Sequence, residues 1–168
     1  MKMTSAQAAK LLRQLNDELR TLQVREENTK SFLAAIGEDP ESVRPEYNYS
    51  EMQQQQYEVE RKIRRVKHAL NLFNTTQTVP GFDMTIDEML VYLPQLSKQF
   101  AKLSSMKDTL PKTRESAYYH NSQLIDYRYA NYDPKQAEKD YLVLSDILSR
   151  AQTALDLINS TVELEIEL

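Results

Sequence analysis

Twelve residues that read as the end of a helix occur twice in this chain, 85 positions apart. Arg65, Ala69, Leu70, Leu72, Asn74 and Thr76 return as Arg150, Ala154, Leu155, Leu157, Asn159 and Thr161, with Phe73 answered by Ile158 and Thr75 by Ser160. Such a repeat predicts a duplicated helical hairpin whose matching loops fall at matching ends. It constrains the architecture before it says anything about a ligand.

The stripes on either side of the repeat extend it. Thr4 and Gln7 have the spacing of a capping box, and Leu11, Leu12, Leu15, Leu19, Leu22, Phe32, Leu33 and Ile36 follow at helical intervals to a stop at Gly37. A helix of about 32 residues would be roughly 48 Å long. Thr85 and Glu88 repeat the capping box, and Leu93, Gln95, Leu96, Phe100 and Leu103 match Leu12, Gln14, Leu15, Leu19 and Leu22 at an offset of 81. Pro94 breaks the match and predicts a bend. Ser50 is read as the N-cap of the second helix, whose seam is Met52, Val59, Ile63, Val66, Leu70 and Phe73; Asp133 and Pro134 open the fourth, whose seam is Ala137, Tyr141, Leu144, Leu148, Ala151, Leu155 and Ile158.

Two segments have strand character, residues 124–130 and the alternating stretch 162–168. The expected ladders are 41–47 with 124–130 and 76–82 with 162–168. The glutamates at 163, 165 and 167 then form a solvated face on an exposed strand. Asn74, Thr75, Thr76, Asn159, Ser160 and Thr161 are expected to cap the last carbonyls of the second and fourth helices.

The predicted fold is therefore mainly α: two duplicated long helical hairpins, about 4–79 and 85–162, in a four-helix, coiled-coil-like arrangement with short β segments at the bundle ends. Residues 1–168 are expected to form a single domain. The sparse apolar seams on long helices point to burial against another copy of the chain, so the partner expected first is the protein itself, as a homo-oligomer.

Composition narrows the chemistry. A net charge of -4 argues against DNA phosphates as the main target. The sequence has no cysteine, which removes disulfides, thiolate metal sites and a cysteine nucleophile, and fits a cytoplasmic location. No signal-peptide pattern opens the chain and no apolar run nears the ~20 residues of a membrane span. His68 stands among cations, a poor setting for a metal ligand, and Gly37 and Gly81 lie too far apart for a glycine-rich phosphate loop. Arg61, Lys62, Arg64, Arg65 and Lys67 read as a solvated helix face paired with nearby acids. No nucleophile elbow or supported acid–base pair is present, so the chain is expected to be non-catalytic and to need no cofactor or metal.

The approaches to the second and fourth helices match in a different way. Arg44, Asn48 and Tyr49 precede Ser50, while Arg128, Asn131 and Tyr132 precede Asp133. Up-down-up-down threading would place both loops at one end. Of the 10 tyrosines, Tyr47, Tyr49, Tyr118, Tyr119, Tyr127, Tyr129 and Tyr132 lie in or beside these loops, with Arg114, His120 and Asn121. The expected binding set is Arg44, Tyr47, Asn48, Tyr49, Arg114, Tyr127, Arg128, Tyr129, Asn131 and Tyr132. Arginines clamp a phosphate or carboxylate, tyrosines stack a planar group, and asparagines read its edge. The alternative leaves the tyrosines filling a small sheet while the arginines pair with Glu46, Asp126 or Glu115.

The segment from Ile63 to Thr76, the helix start from Thr85 to Leu90, and the closing segment from Asp146 to Asn159 resemble the septicolysin-like family of bacterial and phage-associated helical proteins. The resemblance implies a long-helix fold, an oligomer, and no catalytic residue to carry over. Together these features point to a binding protein for a small anionic, nucleotide-like ligand, sequestering a signalling nucleotide in phage–host conflict. The alternative is a structural or protein–protein interaction module with no small-molecule ligand.

Overall fold

The computed structural model of the protein describes residues 1–115 and 126–168. Tyr118, Tyr119, His120 and Asn121, with positions 124 and 125 of the expected strand, lie outside the described residues. The described chain is mainly helical. Its order is β1 (Lys2–Thr4), α1 (Ser5–Thr29), α2 (Pro40–Val43), α3 (Tyr49–Thr76), α4 (Ile86–Lys107), β2 (Lys112–Arg114), β3 (Tyr127–Tyr129), α5 (Pro134–Thr161) and β4 (Glu163–Glu165). It divides into two compact units, Met1–Gln77 with Ile158–Leu168, and Thr78–Leu157.

In the first unit α1 and α3 pack as an antiparallel hairpin. The capping box predicted at Thr4 is present: its hydroxyl accepts from the Gln7 amide while Gln7 accepts from the Thr4 amide. Ala8 and Leu15 of α1 and Met52, Val59, Ile63, Val66 and Phe73 of α3 are buried, the three-four alternation expected of a narrow seam. Leu164 and Ile166 are buried beside them.

Two boundaries differ from expectation in this unit. Helix α1 stops at Thr29, not near Gly37, because α3 begins level with Glu26, whose carboxylate Gln53 and Gln56 reach from the first turns of α3. Beyond that level a longer α1 has no partner surface, and an amphipathic stripe without packing does not sustain a helix in water. Leu33 is accordingly 95% exposed. Gly37, with φ +88, instead occupies a turn closed by the Glu38 amide on the Ala35 carbonyl. Asn48, not Ser50, caps α3, accepting from the Glu51 amide.

The strand pairings also change. Positions 41–47 hold α2 and no strand, and β3 pairs antiparallel with β2. Strand β4 pairs with β1, Leu164 opposite Met3 and Glu163 opposite Thr4. Thr78 bridges Thr85 instead of joining β4. Both members of each pairing lie within one unit. Lys2 and Met3, just before the Thr4 cap, form β1 with it.

In the second unit Thr85 forms the other capping box with Glu88, and α4 continues past Pro94 to Lys107. Pro80 and Gly81, φ +78, take the central positions of the turn that the Phe82 amide closes on the Val79 carbonyl, the arrangement proline and glycine favour. Val79, Ile86, Met89, Leu96, Ala137, Leu144, Ala151 and Leu155 are buried, and Phe100 stacks on Tyr141 with ring centroids 4.7 Å apart.

Thr75 and Thr76 do not take the last carbonyls of α3: their hydroxyls donate one turn back to the carbonyls of Asn71 and Leu72, inside the helix's own ladder, and the Gln77 amide takes that of Phe73. Asn159 does something else: its side-chain oxygen accepts from the Ser5 hydroxyl at 2.6 Å, tying the last turn of α5 to the start of α1 inside the first unit.

Met89→Ala should destabilise the protein by about 2–5 kcal/mol, because its side chain has no solvent exposure. Leu33→Ser should stay within about 0.5 kcal/mol. Urea unfolding followed by helical circular dichroism measures both; equal losses would put the end of α1 in the wrong place.

Candidate functional site

The predicted binding residues fall into two sets, one in each unit. In the first, Arg44 pairs with Glu41 at 2.6 Å and lies over the Phe32 ring. The Tyr47 hydroxyl donates to the Glu26 carboxylate at 2.9 Å, Asn48 is spent on the α3 cap, and Tyr49 is exposed in the first turn. Glu26, which no sequence motif singles out, is the hub of this end. Gln53 and Gln56 donate to it from α3 at 2.7 and 2.6 Å. These donors, Gln56 first and then Tyr47, hold its carboxyl below the ordinary range, while burial and the neighbouring carboxylate raise the Tyr47 phenol. The cleft beside them, lined by Arg25, Thr29, Tyr47 and Asn48 among others, is about 90 Å³. Ligand pockets run about 300–1,000 Å³. This end is a polar clamp between two helices.

In the second unit the chain leaves α4 at Lys107 and returns to α5 at Pro134. Lys107 pairs with Asp108, which raises its ammonium above the ordinary value, and lies 5.0 Å from the Tyr141 ring centre. The Tyr132 hydroxyl donates to the Met106 carbonyl at 2.9 Å, and the Ala130 amide donates to the Pro111 carbonyl. These bonds close the base of the β2–β3 ribbon on the end of α4. Asn131 stands in the exposed bend between them.

The ribbon sorts its residues by pleat. Lys112 lies opposite Tyr129, Thr113 opposite Arg128, and Arg114 opposite Tyr127. Opposite residues share a face and successive residues alternate, so Lys112, Arg114, Tyr127 and Tyr129 form one face while Thr113 and Arg128 lie on the other. Arg128 there makes an ion pair with Glu115, as the alternative sequence interpretation expected. The Lys112 ammonium lies 4.0 Å from the Tyr127 ring centre and 5.4 Å from that of Tyr129. Among the described residues no ion pair neutralises Lys112 or Arg114. Lys112 was missed in the sequence. Its signal is the period-two match of Lys112 and Arg114 with Tyr127 and Tyr129.

The basic run on α3 behaves as a surface: Arg64 lies 3.9 Å from Glu60 and over the Tyr57 ring, and Arg65 donates to the Glu167 carbonyl. No group of three or more histidine, aspartate or glutamate side chains among the described residues is placed to hold a metal ion, and no described helix is long and apolar enough to cross a membrane.

No family model matches the sequence, and no curated protein does. The structure is similar to the crystal structure of a functionally unknown conserved protein from Corynebacterium diphtheriae, with a TM-score of 0.60 at 17% identity over 98% of this chain and 100% of that one. At that identity the likeness establishes the mainly helical fold and no activity.

Because Glu26 is held ionised by its donors, its contribution to folding is present above the ordinary carboxyl value of 4.5 and disappears as pH falls through its lowered folded value. Glu26→Ala should therefore lower the urea midpoint at pH 7, and its deficit should shrink at acid pH, as pH falls below that ordinary value. An equal deficit at both pH values would mean that the carboxylate itself does not make the clamp.

Proposed function

We propose that this chain is a non-catalytic binding protein whose β2–β3 ribbon holds a small anionic ligand with planar rings, nucleotide-like in chemistry. The observation that carries this proposal is the face on which Lys112 and Arg114 alternate with Tyr129 and Tyr127. Two cations supply charge to a phosphate and two exposed rings supply stacking surfaces. Lys112 now covers the rings, but an exposed cation–π contact is worth only about 0.5–1 kcal/mol, so an anion that draws the ammonium aside frees them at small cost. Of the residues first singled out, Arg114, Tyr127 and Tyr129 stay in the site and Lys112 joins them. Arg44, Tyr47, Asn48, Tyr49, Arg128, Asn131 and Tyr132 shape or brace the loop ends. Sequestration of a signalling nucleotide during phage–host conflict is a role that requires binding alone. The septicolysin-like resemblance is compatible with it and supplies no catalytic residue.

We also propose that the fold arose by duplication of a helical hairpin. Helices α3 and α5 both have 28 residues, their ends are offset by 85 positions, and the capped starts of α1 and α4 are offset by 81. Buried Ala8 and Leu15 answer Met89 and Leu96, and Met52, Val59, Val66 and Phe73 answer Ala137, Leu144, Ala151 and Ile158.

With no tryptophan in the chain, intrinsic fluorescence comes from its 10 tyrosines, and the share lost in Tyr127→Ala and Tyr129→Ala is that of the ribbon. Adenine and guanine nucleotides should quench it saturably and ribose 5-phosphate should bind far more weakly. Tyr127→Ala or Tyr129→Ala should cost about 1–3 kcal/mol of affinity, while Arg44→Ala changes nothing. If no nucleotide binds at millimolar concentration, or both tyrosine variants bind as the parent does, the ligand assignment fails.

A second function, self-assembly or protein docking, is favoured by one feature. Phe32, Leu33, Ile36 and Val43 are all exposed in the connection between α1 and α3. Light scattering should find an oligomer at micromolar concentration that Leu33→Asp with Ile36→Asp dissociates. A monomeric parent protein would remove the idea.

A further inference from the structure

Among the described residues strand β4 is paired on one edge only. Its partner β1 takes the backbone groups of the even-numbered residues: the Ile166 amide donates to the Met1 carbonyl, the Met1 amine donates to the Ile166 carbonyl, and Leu164 lies opposite Met3. In an antiparallel ladder the alternate residues direct their amides and carbonyls the other way. Those of Glu163, Glu165 and Glu167 therefore point away from β1, and Arg65 of α3 donates to the Glu167 carbonyl, which fixes the side they face. Between that edge and α3 runs an open groove of about 550 Å³. Its floor includes Ala69, Leu72 and Phe73, and Leu72 is 56% exposed there.

We propose that this groove receives an extended peptide that alternates basic and apolar residues, added as a third strand on the free edge of β4. The main-chain groups of Glu163 and Glu165 pair with the peptide backbone, the mode by which exposed sheet edges take up a strand. The pleat then decides the sequence of the occupant. Residues opposite Glu163, Glu165 and Glu167 share the solvent face with three carboxylates and are lysine or arginine; residues between them turn inward to Leu72 and are apolar. The existing partner follows the same rule, since Lys2 lies opposite Glu165 between the apolar Met1 and Met3. A second copy of β4 is excluded as the occupant, because it would set glutamate against glutamate. The comparable strand position after α3 cannot serve: Pro80 follows Val79 there, has no amide to donate, and the chain turns at Gly81.

The test uses the full chain and three fluorescein-labelled peptides read by anisotropy: Lys-Val-Lys-Val-Lys-Val, the block isomer Lys-Lys-Lys-Val-Val-Val, and Glu-Val-Glu-Val-Glu-Val. The alternating basic peptide should bind at least about tenfold more tightly than its block isomer, and the acidic one should not bind. Glu163→Lys with Glu165→Lys, both exposed, should weaken binding at least about tenfold at low salt with circular dichroism unchanged. Leu72→Arg should weaken it independently. Hydrogen exchange should slow at the amides of Glu163 and Glu165 when peptide is bound. Equal affinity for the two lysine peptides would overturn strand addition in favour of plain charge attraction. Binding that shifts amides of β2 and β3 but not β4 would overturn the site, and absence of binding to the alternating peptide would overturn the proposal outright.

Discussion

Two threonines hold this fold in place, because each is at once the last residue of a strand pairing and the first cap of a helix. Thr4 lies opposite Glu163 and caps α1; Thr85 bridges Thr78 and caps α4. At both the backbone is extended, with ψ of 161 and 166, while the side chain closes a capping box. A strand sets its faces with period two and a helix with period 3.6, so the junction residue fixes which face the helix presents to its neighbour. Once Thr4 is placed, Ala8 and Leu15 fall on the buried seam; once Thr85 is placed, Met89 and Leu96 do. Everything downstream, including where the helices end and which loops they support, inherits that phase.

The two loop ends then diverge by chemistry. Tyr47 reaches back from the start of α3 to the carboxylate of Glu26, and Tyr132 reaches back from the start of α5 to the carbonyl of Met106. The gesture is the same, and the polar centre differs: glutamine donors gather on Glu26 in one unit, while Lys107 beside Asp108 and Tyr141 occupies the corresponding place in the other. An acidic hub with a 90 Å³ cleft has little to offer an anion. The basic, tyrosine-bearing ribbon that follows Lys107 is the electrostatically opposite case. The loop end of the first unit braces its helices, and that of the second bears exposed cations and rings.

The helices were legible in the sequence because their signals are local. Capping boxes need residues three apart, and the seam of α3 needs only the three-four rhythm from Met52 to Phe73. What was not legible depended on partners far along the chain. Phe32, Leu33 and Ile36 continue the rhythm of α1, and only the position of the α3 start denies them a surface. The strands were recognised at 127–129 and 163–165, yet their partners were misassigned, since three-residue ladders carry too little pattern to choose a mate. Arg128 and Arg114 looked equivalent as charges; the pleat alone separates them, sending one to Glu115 and the other to the face with Tyr127. The residues of both loop ends are thus mostly visible in the sequence, while which of them share a face depends on a strand pairing that the sequence does not display.

The central claim is that the ribbon face, not the α1–α3 end, meets the ligand. Amide chemical shifts of the isotope-labelled chain, recorded with and without ATP, separate the two most directly. The account predicts saturable shifts at Lys112, Thr113, Arg114, Tyr127 and Tyr129 with Arg44 to Tyr49 unmoved. Shifts confined to Arg44, Tyr47, Asn48 and Tyr49 would contradict it.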